Sequence, residues 1–247
     1  MQGHGKIALT SAVAKQRFPG PWAGGISLIV SPLLLLAGIL LRSPYHFFFP
    51  DQLAAYGEHP LQITVSYSLF GAGIVMLWPA VLLLVQSIGV SKPLWAFWGG
   101  IFTIAGLFAR TFHAGVDHLA FQLVRTGGVD QAVNTVGDAY GAFHIYSTFN
   151  LAIISGWIVL AIGCYRSGTL GLVQSAALSL TCALPLGVLK GTTPWSIAAA
   201  GGLAVALIPF GWTMLRSTPF PGWLKIGTWS LIVCAGLFLF TLFGRLG

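Results

Sequence analysis

Arg110, His113, Asp117 and His118 follow directly on a long uncharged run, 93–109. Read as a helix at about 100° per residue, this stretch places Gly99, Thr103, Gly106, Arg110, His113 and Asp117 in one narrow stripe. His113 and Asp117 are four apart and stack on one face, with Arg110 a turn deeper. A second stripe follows in Gly137, Tyr140, His144, Thr148, Leu151 and Ser155. A short connection at 126–131 pairs the two helices antiparallel and turns Arg110, His113 and Asp117 towards Tyr140, His144 and Thr148.

Four chemistries fit these residue types. His113, Asp117 and His144 make a two-histidine, one-carboxylate set suited to Fe, Mn or Zn with positions left open, and His118 on an adjacent face can replace one of them. Without a metal, a histidine moves protons near neutrality while an aspartate orients it. Arg110 then receives an anionic headgroup or polarises a carbonyl, and Tyr140 lies on the facing stripe. The third possibility is a packing network in which Arg110 pairs with Asp117, Asp138 or Glu58 and nothing reacts. The fourth is haem b, with two of His59, His113, His118 and His144 as axial ligands. Haem is disfavoured because these histidines gather at one end of their helices. The candidate catalytic set is therefore His113, Asp117, His144, Arg110 and Tyr140, and the candidate metal set is His113, Asp117, His144 and His118.

The elements that position them are membrane spans. The chain has 247 residues, is 56% hydrophobic and only 7% charged, against roughly 25% charged in a soluble domain. That excludes a soluble enzyme, a disordered chain and a secreted disulfide scaffold. Cys164, Cys182 and Cys234 each lie in an apolar stretch without CxxC spacing and pack as small apolar residues. Uncharged runs long enough for a helix of about 20 residues predict seven spans, near 21–42, 61–88, 93–114, 142–165, 168–189, 194–215 and 223–244. The expected fold is thus an all-α, polytopic bundle of seven transmembrane helices forming a single domain over 1–247. Helix 93–125 would be about 50 Å long, beyond the roughly 30 Å hydrocarbon core, so its end projects.

In this topology Asp51, Glu58, Asp117, Asp130 and Asp138 all fall on one side of the membrane, with His46, His59, His113, His118 and His144. Lys6, Lys15, Arg17, Lys92, Arg166, Arg216 and Lys225 fall on the other, against Arg42, Arg110, Arg125, Lys190 and Arg245. That bias places the N-terminus in the cytoplasm and the polar pocket on the outer face of the cell membrane. Helices two to four are expected to wall the pocket, with Thr64, Ser66, Tyr67 and Ser68 contributing, and helices five to seven to act as apolar scaffold. An ionisable residue at the bilayer centre costs roughly 2.5–3.5 kcal/mol, so the cluster is a functional hypothesis by default.

The function expected is an integral-membrane enzyme, metal-dependent or acid–base, acting on a lipophilic or amphipathic small molecule. The alternative is a non-enzymatic accessory, immunity or sensor subunit of a membrane partner, in which the cluster only fixes packing. The sequence carries no GxSxG elbow, HExxH, Walker loop or dinucleotide glycine fingerprint, and its scattered basic residues indicate the bilayer rather than nucleic acid as partner.

Overall fold

The computed structural model describes residues 18–142 and 144–244. Lys6, Lys15, Arg17 and Arg245, which enter the orientation count, lie outside them. The described chain is helical, with no strand among its residues: α1 (Pro21–Leu41), α2 (Phe49–Glu58), α3 (Pro60–Gly89), α4 (Pro93–Ala139), α5 (Asn150–Ser167), α6 (Leu172–Ser179), α7 (Pro194–Ser217) and α8 (Trp223–Gly244). Single 3-10 turns precede α5 (Ile145–Phe149) and follow α6 (Leu180–Ala183). Proline opens α1, α3, α4 and α7. It needs no hydrogen bond at that position, and its φ is already helical.

Contacts divide the chain into two compact units, Met1–Leu215 and Arg216–Gly247. In the second unit, α8 buries none of its residues. Five helical segments are long and apolar enough to cross a membrane: α1, α3, Ile145–Ser167, α7 and α8. These meet five of the expected spans.

In the first unit, small residues set the seams, as expected where lipid is as apolar as the side chains and close approach supplies the attraction. A Cβ built on Gly38 of α1 would stand 2.7 Å from the Ser66 carbonyl and 2.8 Å from the Phe70 nitrogen of α3. The Ser66 hydroxyl donates across that seam to the Gly38 carbonyl at 2.6 Å. Gly99 and Gly106 of α4 press on the backbone of Leu160 and Ile153 of α5, while Gly156 of α5 presses on Thr103. The lower half of the predicted α4 stripe is thus a packing seam, and α4 and α5 run antiparallel as expected.

Two expected spans differ. The 93–114 segment is helical, but α4 is not among the five apolar helices and runs on to Ala139. The turn expected at 126–131 is instead a break at one residue, Gly128 (φ 81°), after which the helix resumes. Gly128 tolerates the left-handed φ because it lacks a Cβ.

The continuous helix expected over 168–189 does not form. The chain is helical only to Ala183, then unwinds through Leu184–Lys190 until α7 begins at Pro194. Pro185 excludes the helical conformation at Leu184, which is extended (ψ 142°), and Gly187 (φ 93°) and Leu189 (φ 51°) are left-handed. The unwound stretch then joins the α2 end of the bundle. Gly191 N–H donates to the Phe47 carbonyl at 2.9 Å, and Thr192 Oγ1 donates to the Ile39 carbonyl at 2.8 Å.

Candidate functional site

Breaking a helix inside an apolar bundle frees carbonyls that lipid cannot satisfy. Arg110 of α4 satisfies them. Its Nη1 donates to the Pro185 carbonyl at 2.7 Å and its Nη2 to the Leu184 carbonyl at 3.3 Å. Two turns further along the same face, Asp117 Oδ1 accepts the Leu189 N–H at 2.5 Å. The two ends of the unwound segment are therefore held by opposite charges spaced seven residues apart on one helix. Both side chains are buried, at 5% and 9% exposure.

The ion pair expected for Arg110 is absent. Among the described residues Arg110 meets no carboxylate within salt-bridge distance, and Glu58 and Asp138 are exposed. Backbone carbonyls stand where the counter-charge was expected: the partial negative charge at an unwound helix end attracts a cation, and the freed carbonyls accept its N–H groups.

Beside this clamp lies a cavity of about 450 Å³. Arg110, His113, Asp117 and His118 line it from α4, and Pro185, Gly187 and Lys190 from the unwound segment. Helices five to seven were expected to be scaffold, yet the segment before α7 supplies one wall. On the deep side α3 and α4 close on each other, through Trp78 edge-on to Phe108 (4.6 Å) and Val85 against Gly100. At the α2 end Phe121 stacks on Tyr56 (4.6 Å) and meets Tyr67 edge-on (5.0 Å). Between these contacts the lining residues Thr64, Ser68, Ala72 and Val75 of α3 are exposed, as are Thr111 and His118 of α4. The cavity opens sideways, between the two helices.

Its most unusual wall residue is Arg42, just past the end of α1. It is 2% exposed, with its guanidinium carbon 4.6 Å from the Tyr67 ring and 4.7 Å from the Phe70 ring. Its Nε and Nη1 are buried without a hydrogen-bond partner. Tyr67 is fixed in turn, its hydroxyl donating to Gln52 Oε1 at 3.1 Å and standing 3.3 Å from the Lys190 carbonyl. Lys190 Nζ sits among the rings of Phe47, Tyr140 and Phe48, at 5.2, 5.2 and 5.5 Å.

The sequence-predicted set therefore separates. Arg110, His113, Asp117 and His118 share the cavity. His144 does not line it; it stands in extended conformation before the 3-10 turn and packs on Phe112 (5.0 Å) beside Tyr146. Tyr140 stacks on Phe49 (5.0 Å) and helps to cage Lys190. Among the described residues no three His, Cys, Asp or Glu side chains are grouped to hold a metal ion, so the set of His113, Asp117, His144 and His118 does not assemble. Asp117 is turned to Leu189 and His144 to Phe112. Of the four candidate haem histidines only His113 and His118 line the cavity, five residues apart on one helix. At about 100° per residue they lie roughly 140° apart around that helix and cannot close on one iron from opposite faces of a haem. Arg42 and Lys190 were missed as site residues. The signal for Arg42 is an arginine closing an apolar run, with Tyr67 and Phe70 one turn apart in the next span.

Comparison with protein-family models, with curated proteins and with solved structures found no match to this chain.

Proposed function

We propose that this protein is a multi-pass protein of the cell membrane that admits an amphipathic small molecule from the lipid into the cavity between α3 and α4. The observation that carries this reading is the shape of the cavity: it is open sideways along exposed α3 and α4 residues, yet backed by buried cationic side chains. A molecule entering from lipid keeps its chain against Ile74 and Val75 and its head against the charged wall. Seven crossings result if α4 and the discontinuous segment 168–193 each traverse once. The Lys and Arg bias puts the N-terminus of that arrangement in the cytoplasm and the cavity towards the outer leaflet.

Arg110 and Asp117 belong to the packing account, since their hydrogen bonds hold the backbone of the unwound segment. The enzyme reading rests on His113. Its side chain is 7% exposed, lines the cavity and makes no hydrogen bond among the described residues, so its ring is available to exchange a proton with a bound molecule.

A neutral long-chain alcohol carrying a diazirine near its hydroxyl tests the entry route. On illumination in membranes it should label 64–75 of α3 and 111–122 of α4. Ala114→Trp, which fills the cavity, should cut that labelling about tenfold, the equivalent of 1.4 kcal/mol of binding. Labelling spread evenly over lipid-facing helices, and unchanged in Ala114→Trp, would refute the proposal.

Orientation is tested separately. Glu58 and Ser91 are exposed at opposite ends of α3. A membrane-impermeant maleimide applied to intact cells should modify Glu58→Cys and spare Ser91→Cys; the reverse pattern would invert the topology.

A further inference from the structure

Resting on the lateral-entry reading, we infer that the head of the bound molecule is a dianionic phosphoryl group, received by Arg42. Arg42, Arg110, Arg125 and Lys190 line the cavity, and Asp117 is the one carboxylate among its lining residues. Arg125 is exposed and donates to Gln122, so its charge stands at the mouth. The three cations that are not exposed, against one anion, leave two positive charges in apolar surroundings, where an uncompensated charge is costly. A phosphomonoester carries about −1.5 to −2 near neutrality and balances them, whereas a carboxylate leaves one positive charge uncompensated.

The donors agree with that count. Arg110 gives one N–H each from Nη1 and Nη2 to the Pro185 and Leu184 carbonyls, which fixes its fork on the backbone, and Asp117 gives one oxygen to Leu189. Arg42 spends nothing: its Nε and Nη1 are buried without a partner, and rings rather than carboxylates hold its guanidinium in place. A guanidinium held this way offers planar donors to oxygens of a tetrahedral anion. Lys190 is also held by rings, and its carbonyl stands 3.3 Å from the hydroxyl of the same Tyr67 that underlies Arg42. Both cations are therefore fixed before any anion arrives, which lowers the ordering cost of binding.

The test uses the purified full-length protein in an uncharged detergent at about pH 8, where a phosphomonoester is a dianion. Dodecyl phosphate, dodecanoate, dodecanol and inorganic phosphate are titrated in parallel. Dodecyl phosphate should bind about tenfold more tightly than dodecanoate, and Arg42→Gln should abolish that preference without abolishing dodecanol binding. Lys190→Gln, at a half-buried position, should weaken the preference by a smaller factor. Inorganic phosphate binding as tightly as dodecyl phosphate would support the phosphoryl subsite and assign it to free phosphate rather than a lipid head. Equal affinity for dodecyl phosphate and dodecanoate in the unaltered protein would overturn the inference even if Arg42→Gln failed to fold, as would a preference that survives in Arg42→Gln. Failure of the lateral-entry reading looks different, because dodecanol would then not bind.

Discussion

Arg110→Ala should destabilise the protein more than any other single change at the cavity. It removes two charge-assisted hydrogen bonds, to Pro185 and Leu184, each worth roughly 1.5–3 kcal/mol. The Pro185 and Leu184 carbonyls would then lose the side-chain donors they have. The loss should total about 3 kcal/mol or more by that measure and be read as a lower unfolding temperature in detergent. Hydrogen exchange locates the effect: the Leu189 amide, now donated to Asp117, should exchange faster in Arg110→Ala as the segment loosens. Arg110→Lys should fall between, because one ammonium cannot reproduce the planar fork that spans both carbonyls. Asp117 supplies the complementary case. Asp117→Asn keeps a carbonyl acceptor for Leu189 and should cost little, whereas Asp117→Leu leaves that N–H unpaired at roughly 1–3 kcal/mol. An Arg110→Ala variant as stable as the unaltered protein would show that the broken crossing is held by something else.

The second large effect is expected at the seam that aligns α4. A Cβ on Gly156 would lie 2.6 Å from the Thr103 nitrogen, 2.7 Å from the Phe102 carbonyl carbon and 2.8 Å from Thr103 Cα, all backbone atoms that cannot swing aside. Gly156→Leu should therefore force α4 and α5 apart and cost about 1–3 kcal/mol, the range for overpacking a close-packed interior. Because Arg110, His113 and Asp117 ride on α4, ligand binding should fall with stability. Gly201→Leu in α7 is the control: its Cβ would meet nothing within 4 Å, and the unfolding temperature should not change. Equal behaviour of the two variants would contradict the seam.

What the sequence made legible follows periodicity. The Gly99–Thr103–Gly106–Arg110–His113–Asp117 stripe does share one face, because a regular helix leaves no alternative. Its lower half meets α5 and its upper half meets the cavity. Hydropathy cannot distinguish a crossing made by a helix from one made partly by extended chain, so the apolar run 184–189 reads as the end of a helical span over 168–189. The partners of Arg110 and Asp117 are backbone groups, which leave no mark in a side-chain sequence. That is why carboxylates were sought for Arg110 and a histidine for Asp117. The stripe through Tyr140, His144 and Thr148 failed for a different reason. Residues 140–149 carry no proline, yet α4 ends at Ala139 and α5 starts only at Asn150. With that helix gone, His144 packs on Phe112 and is not among the residues that line the cavity with His113.

Arg42 shows the limit of counting charges by side. As a cation at the end of a span it reads as a residue of the aqueous face, and nothing in its neighbours Leu41 and Ser43 says otherwise. Its burial depends on Tyr67 and Phe70 from α3, which the Gly38–Ser66 seam brings alongside. Only the packed bundle shows a cation with donors to spare.

The most direct test of the central claim is native mass spectrometry of the protein extracted from its own membranes in a mild, uncharged detergent. One amphipathic molecule per chain should remain bound to the unaltered protein, and Ala114→Trp, prepared in parallel, should emerge without it. A bare chain that takes up no added amphiphile, or the same adduct on both proteins, would contradict a ligand cavity between α3 and α4.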